Sequence, residues 1–393
     1  MNTRTVILSA ARTPLGAFQG ALSTLPAAHL GAVAIQAALA RAGLPPEVVT
    51  DLILGQVLQA GQGQAPVRQA ALKAGLLPST RTVSLNHVCG SGLHALLHAS
   101  LLIDSGQAGV CVAGGMESMS QVPYLLPKAR DGYRLGHQTV VDSLISEGLW
   151  DPYSNQHMGS CAEQCATRYE LSREVQDAYA AESFRRAQRT QAEGKFADEI
   201  GPVDVTDFKG QVTRVEHDEG PGRVKFDRMA SLKPAFGKDG TITAANASSL
   251  NDGAAALVLA DAAWAREKGL HPLARVVSFG RAALDPLWFT TAPAPAAREA
   301  LARAGWGPEQ VDLWEVNEAF AVVPLAFARE LGVPPERMNV RGGAIALGHP
   351  LGCSGARVVV TLLSALRERG LKRGLATLCI GGGEGIAACI ECD

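Results

Sequence analysis

The chain repeats itself over long range. Ala38-Leu39-Ala40-Arg41-Ala42-Gly43 recurs letter for letter as Ala300-Leu301-Ala302-Arg303-Ala304-Gly305. Each copy is followed by Pro-Glu (Pro46-Glu47 and Pro308-Glu309), then a Val and an Asp-Leu that open an apolar run. Further on, Ser91-Gly92 and Ser354-Gly355 each begin an apolar helical stretch. Those stretches lead to Cys-x-x-Gly-Gly at Cys111–Gly115 and Cys379–Gly383. The offset drifts only from 262 (residue 38 to 300) to 268 (residue 111 to 379). Four matches in one order, at a spacing far beyond any solenoid period, define two homologous halves rather than a repeat array.

Each half alternates strand and helix patterns. Residues 4–9, 51–58, 82–85 and 109–113 read as strands, and 27–42 and 90–104 as helices, with Leu93, Leu96, Leu97 and Leu101 on one face of the second helix. The other half gives helix 295–304, strand 311–316, helix 354–368 and strands 375–380 and 386–390. This alternation predicts α/β layers with largely parallel sheets. Residues 120–248 follow no such pattern and are richer in charge, which predicts a loop-rich insert laid over the core. Ala254–Ala260 then reads as a strand returning to the first half. The expected division is residues 1–120 plus 249–270, an insert over 121–248, and 271–393. A chain of 393 residues exceeds what one hydrophobic core usually serves, in keeping with that division.

Net charge is −2, so nothing general attracts nucleic acid or an anionic membrane, and no apolar run reaches membrane-spanning length. The N-terminal MNTRTVILSAARTP reads as a strand rather than a signal peptide, so the eight cysteines are expected to be reduced in a cytoplasm. Cys161/Cys165 and Cys389/Cys392 are close pairs without second pairs or histidines at zinc spacing, and no metal site is expected.

Four segments carry chemistry. Asn86-His87-Val88-Cys89-Gly90-Ser91-Gly92-Leu93 puts a cysteine between a strand and the first turn of a helix, where unpaired N–H groups and the helix dipole favour a thiolate and lower the thiol pKa. Glycines there let a substrate carbonyl approach the backbone. Gly342 to Gly355 sets His349 in a glycine-dense loop before a helix, a place to activate a thiol or donate to a developing oxyanion. Cys379-Ile380-Gly381-Gly382-Gly383-Glu384-Gly385 offers a second cysteine at a strand end. Carbon–carbon chemistry at a thioester needs one group to carry the acyl chain and another to move a proton at the α-carbon; a thiol serves the second task. Asn317-Glu318-Ala319-Phe320-Ala321 follows a strand, and equally suits the polar start of a helix.

Together these segments resemble the thiolase family, and the likeness extends to Arg12-Thr13-Pro14 and to Asn246-Ala247-Ser248-Ser249-Leu250-Asn251-Asp252-Gly253. The resemblance implies two βαβαβαββ halves in a five-layered core with a loop domain inserted in the first. It implies that Cys89 accepts the acyl group, that Cys379 is the α-carbon acid/base, and that His349 activates Cys89 and joins an oxyanion hole for the enolate. Asn317 is expected to hold the water completing that hole, while the N–H groups of Cys89 and Gly381 form a second hole for the tetrahedral intermediate. Leu149, His157, Met158, Phe236, Ser248, Ala319 and Phe320 match positions lining the family's pantetheine channel. The implied reaction is reversible condensation of two acetyl-CoA to acetoacetyl-CoA and CoA, with ping-pong kinetics. CoA enters as substrate, no permanently bound cofactor is expected, and the family forms dimers and tetramers. Residues 209–238 carry Lys209, Arg214, Arg223, Lys225, Arg228, Lys233 and Lys238, a cradle for the phosphates or a solvated charged face.

The chain departs from the family pattern at Arg341, usually Asn, and at Cys353, usually a small residue without a thiol. Phe289-Thr290-Thr291-Ala292-Pro293 resembles acetoacetyl-CoA-forming members, favouring short chains. The alternatives left open are a degradative 3-ketoacyl-CoA thiolase of broader chain length and a non-catalytic acyl- or lipid-binding relative. A ketoacyl synthase typically pairs cysteine with His-His or His-Asn and has no need of Cys379.

Overall fold

A computed structural model describes residues 3–392. The principal elements are β1 (Thr5–Arg12), α1 (Ala27–Ala42), β2 (Asp51–Gly55), α2 (Pro66–Lys73), β3 (Arg81–Leu85), α3 (Ser91–Asp104) and β4 (Val110–Ser118). After α4 (Met158–Arg168) and α5 (Arg173–Ala192) come β5 (Asn251–Asp261), β6 (Ala274–Ala283), α6 (Pro293–Ala304), β7 (Leu313–Val316), α7 (Val322–Leu331), α8 (Leu351–Glu368), β8 (Arg373–Ile380) and β9 (Glu384–Glu391).

The strands run in the order β7-β8-β9-β6-β1-β5-β4-β2-β3, with Gly16–Ala17 paired on β5. That order reads the same from either end when the duplicated elements are matched, β6 with β1, β9 with β5, β8 with β4 and β7 with β2. Even β3 has a counterpart, because Met338 bridges Trp314 in parallel. Among the described residues the two halves of the sheet are paired where Val6 and Ile7 face Arg275 and Ala274. The expectation of largely parallel sheets is corrected: β2 pairs in parallel with β3 and β4, and β7 with β8, while the remaining neighbours are antiparallel. Helical crossovers make the parallel pairs. Strands that return directly, such as β9 after the turn at 381–383, make the antiparallel ones.

Three apolar clusters separate five layers. One joins α1 and α2 to the outer face of the first half-sheet, and another joins α6 and α7 to the outer face of the second. The third holds α3 and α8 between both inner faces. The paired Ser-Gly repeats explain how two helices fit in that middle layer. A Cβ on Gly92 would lie 2.6 Å from the Ala356 nitrogen, and one on Gly355 would lie 2.2 Å from the Leu93 nitrogen. Only glycine permits this crossing, and it sets the N-terminal ends of the two duplicated helices side by side.

The helical face read for α3 is corrected as well. Leu93 and Leu96 are buried with Ala95, Ala99 and Ile103, whereas Leu97 is only half-buried and Leu101 is 59% exposed. The insert is less irregular than expected, since it contains α4 and α5. Helix α5 is capped by Ser172 and buries Gln176, Ala180, Ala181, Phe184 and Ala187. Small and polar residues make up most of that stripe, so hydrophobic periodicity is muted. No helix among the described residues is long and apolar enough to cross a membrane.

Candidate active site

The Cys89 loop is built by local hydrogen bonds after β3 ends. Asn86 Oδ1 accepts from the Val88 N–H at 3.0 Å, and Ser91 Oγ accepts from the His87 N–H at 2.8 Å while donating to Val88 O at 2.7 Å. These bonds hold Val88 at φ +44°, a left-handed conformation unfavourable for a β-branched residue, immediately before the cysteine. Cys89 opens onto a cavity but is otherwise enclosed, and burial pushes its thiol up to about 11; the N–H groups of Gly381 and of Cys89 itself pull the other way. The expected net lowering is therefore corrected, because desolvation outweighs the donors around the sulfur. The resting group is a thiol that needs a base.

His349 supplies an imidazole in a matching state. The preceding Gly348 has φ +117°, and a Cβ there would strike Asn251 at 2.2 Å. The Asn251 Oδ1 in turn accepts from the His349 N–H at 3.1 Å. His349 Nδ1 lies 2.6 Å from Ser354 Oγ, whose hydroxyl donates to Pro350 O at 2.9 Å. With the serine proton so committed, Nδ1–H donates to Ser354 and the Nε2 lone pair is left for chemistry. Asn317 Nδ2 stands 3.5 Å from that Nε2. Burial, then the nearby Arg357, lowers His349 to about 3, so the ring is neutral.

Asn317 is placed by its own N–H donating to Thr377 O at 3.0 Å, and its buried Oδ1 has no protein partner. The adjacent Glu318 is an anchor: it accepts from Tyr179, Ser183, Asn339 and the Ile345 N–H, tying the end of β7 to α5 and to the loop before His349. Cys379, at the end of β8, is fully buried, and burial followed by the proximity of Cys89 holds its thiol well above the usual range.

Cys89, His349 and Gly381 line one cavity of about 270 Å³ together with Leu149, His157, Met158, Phe236, Ser248, Ala319 and Phe320. Cys379 and Asn317 are not in its wall; they sit behind it. Rings dominate one side, with His157 stacked on Phe236 at 4.6 Å and Phe320 edge-on to Phe236 and Phe289. Met119 and Leu351 also line this cavity without any sequence signal, and so does Phe289 of the segment that resembles acetoacetyl-CoA-forming members. A second cavity of about 510 Å³ shares Ser249 and Leu250 with the first and carries Arg223, Lys225 and Arg228. The other basic residues of 209–238 are absent from its wall; Arg214, for example, pairs with Glu216.

Arg341 lies buried in an ion-pair network, 2.6 Å from Glu199 and 2.8 Å from Glu368, and Glu199 also receives Arg12, which binds Asp218. It fastens the insert to α8 rather than entering the cavity. Cys353 is fully buried in α8. All eight cysteines are free, and among the described residues no three or more His, Cys, Asp or Glu side chains are grouped to hold a metal.

An enclosed thiol, a neutral imidazole with a free lone pair, a second thiol and two backbone donors at one sulfur make a site for acyl transfer through a covalent cysteine. The chain belongs to the thiolase family: the thiolase N-terminal domain matches residues 5–263 and the thiolase C-terminal domain residues 270–392. Its fold is the thiolase fold. Among its relatives, it is 50% identical to the acetyl-CoA acetyltransferase of Cupriavidus necator and 52% identical to that of Pseudomonas aeruginosa, over 99% of each chain in both cases. The crystal structure of the Bacillus anthracis acetyl-CoA acetyltransferase superposes with a TM-score of 0.97 at 41% identity, covering 100% of this chain and 99% of that one.

Proposed function

We propose that this chain is an acetyl-CoA C-acetyltransferase that condenses two acetyl-CoA into acetoacetyl-CoA and CoA, and runs the reverse thiolysis. The observation carrying this reading is the convergence of the Cys89 and Gly381 N–H groups on the Cys89 sulfur, inside the cavity that also holds His349. The names borne by relatives at about half identity support the substrate.

In the first half-reaction His349 Nε2 takes the Cys89 proton as the sulfur attacks the acetyl carbonyl, and the two N–H groups take up the oxyanion. The departing CoA sulfur receives the proton of Cys379. That leaves a Cys379 thiolate, which removes an α-proton from the second acetyl-CoA. His349 and a water held by Asn317 support the enolate oxygen, and the unpaired buried Oδ1 of Asn317 suits such a water. Attack of the enolate on acetyl-Cys89 forms the new carbon–carbon bond. The Cys89 sulfur leaves and recovers its proton from His349.

The narrow apolar cavity takes pantetheine along Leu149, His157, Met158, Phe236, Ser248, Ala319 and Phe320. The second cavity, with Arg223, Lys225 and Arg228, takes the nucleotide end. The chain partition in this reading is two thiolase halves, 1–120 with 249–270 and 271–393, around a CoA-binding insert at 121–248, in a cytoplasmic homodimer or homotetramer. Phe289, only 2% exposed against Phe320, favours short acyl chains over the degradative alternative. Thiolysis across chain lengths tests this. The expected kcat/KM for 3-ketohexanoyl-CoA is at least roughly tenfold below that for acetoacetyl-CoA, since a pocket discriminates by about 1–3 kcal/mol per methylene. Flat or rising values would move the chain to the degradative class.

A further inference from the structure

The two loops whose N–H groups meet at the Cys89 sulfur are separate in sequence, and one side-chain chain joins them. His87, two residues before the nucleophile, places Nε2 2.7 Å from Glu384 Oε2, and Glu384 opens β9 directly after the Gly381-Gly382-Gly383 turn. On the other side of the ring, His87 Nδ1 lies 3.0 Å from His94 Nδ1, one turn into α3, with the two rings edge-on at 4.8 Å. Two facing Nδ1 atoms at that distance hold one proton between them. The Glu384 carboxylate holds the opposite side of the His87 ring. His94 stays neutral, kept low by burial first and then by His87, Arg281 and His98. The charged and titratable neighbours of the cluster are thus Glu384 on β9, Arg281 on β6, and His94 and His98 on α3.

We propose that His87 and Glu384, braced by His94, are positioning residues that clamp the Gly381 turn to the Cys89 loop and so hold the two oxyanion donors at a fixed separation. Three features support a positioning role over a merely structural one. Gly382 and Gly383 have φ of +94° and +89°, conformations without side-chain restraint, and while the Gly383 carbonyl is tied to the Leu284 N–H at 2.8 Å, the His87–Glu384 pair is a contact that reaches across to the Cys89 loop. The Cys89 loop is itself held in a strained form at Val88, which stores a tendency to relax. Finally, Glu384 is 47% exposed and His87 19% exposed, so the pair adds little to global stability while still fixing local geometry. Cys379 is secured differently, by its place in the β8–β9 ladder opposite Gly385. The clamp therefore acts on Gly381 and not on the α-carbon base.

This inference rests on the acyl-cysteine reading and is tested with the wild-type chain, His87→Gln and Glu384→Gln. Rapid-quench mass spectrometry follows acetylation of Cys89 by acetyl-CoA, and deuterium exchange at the α-carbon is followed at matched acetylation. Loss of a whole oxyanion donor costs roughly 10²–10³, so loosening one is expected to slow acetylation roughly tenfold in either variant. Exchange stays within a few-fold of wild type, and the double variant is no slower than the slower single one, because both act through one contact. Should H87Q fail to fold, E384Q carries the same expectations alone. Wild-type acetylation rates in the folded variants, or equal losses in acetylation and exchange, overturn the clamp and leave the function intact. A wild-type chain that never acetylates Cys89 overturns the functional reading and the clamp together.

Discussion

Replacing Ser354 with alanine removes the one acceptor of the His349 Nδ1–H, a bond of 2.6 Å between two buried groups. The methyl side chain fills the space but cannot accept, so Nδ1–H is left unpaired. A buried donor without a partner costs about 1–3 kcal/mol. The imidazole escapes that cost by turning or by moving its proton to Nε2, and in either form the lone pair aimed at the site is gone. The productive form is then disfavoured by the same amount, a loss in turnover of about fivefold to somewhat over a hundredfold at 1.4 kcal/mol per tenfold. Ser354 is not in the cavity wall, so KM for acetyl-CoA should hold while kcat falls. Steady-state condensation and rapid-quench acetylation, alongside a thermal melt, separate these effects. Unchanged kcat in a folded S354A chain would refute the claim that Ser354 sets the His349 tautomer.

Cys379→Ser keeps roughly the size of the buried side chain but swaps in a far weaker acid and base. Acetylation of Cys89, in which Cys379 only protonates a thiolate leaving group stable near neutral pH, should slow far less than α-proton exchange and condensation, which need it as base; equal loss of both would deny Cys379 a dedicated role. Phe289→Ala opens the apolar cavity, and the ratio of kcat/KM for 3-ketohexanoyl-CoA to that for acetoacetyl-CoA should rise roughly tenfold, against a stability cost of about 3–5 kcal/mol seen in a urea titration. An unchanged ratio would remove Phe289 from the specificity argument. Acid stability should bear the mark of His349, whose pKa falls from an ordinary 6.5 to about 3 in the folded chain. Between those values the unfolded state binds a proton that the native state refuses, so this group lowers stability as pH falls through that window. Urea midpoints at pH 5 and 7 should therefore differ less in His349→Gln than in wild type, and an equal difference would mean the histidine is not held neutral.

Much of this site is legible in the chain because its parts sit at element ends, where glycine and turn chemistry leave a signature. Cys89 follows β3, Asn317 follows β7, and Cys379 closes β8; each lies beside residues that read poorly as core. The duplication foretells two matched half-sheets, since matched sequence at a nearly constant offset builds matched strands; their joining into one sheet through β1 and β6 is set by packing. What escaped was whatever depends on long-range packing. The Cys89 thiol is raised rather than lowered, because burial by residues far along the chain outweighs the local helix end. Helix α5 is not legible because its buried stripe is mostly alanine and polar residues, with Phe184 the one large apolar side chain in it. His87 and Ser354 were visible inside quoted motifs, but their partners are Glu384 and a histidine ring whose tautomer only the folded geometry defines. Arg341 is an anchor through Glu199 and Glu368, one contributed by the insert and the other by the end of α8.

The measurement closest to the central claim is the identity of the acylated residue. The chain is mixed with acetyl-CoA in the absence of free CoA, quenched in acid, and digested for mass spectrometry, with Cys89→Ala as the parallel sample. A single acetyl group on the peptide containing Cys89, absent from the variant, is the predicted result. Turnover should drop on the order of 10⁶-fold in that variant, as in a comparable covalent enzyme. An acetyl group confined to Cys353 or Cys379, or condensation that proceeds undiminished in Cys89→Ala, would contradict the account.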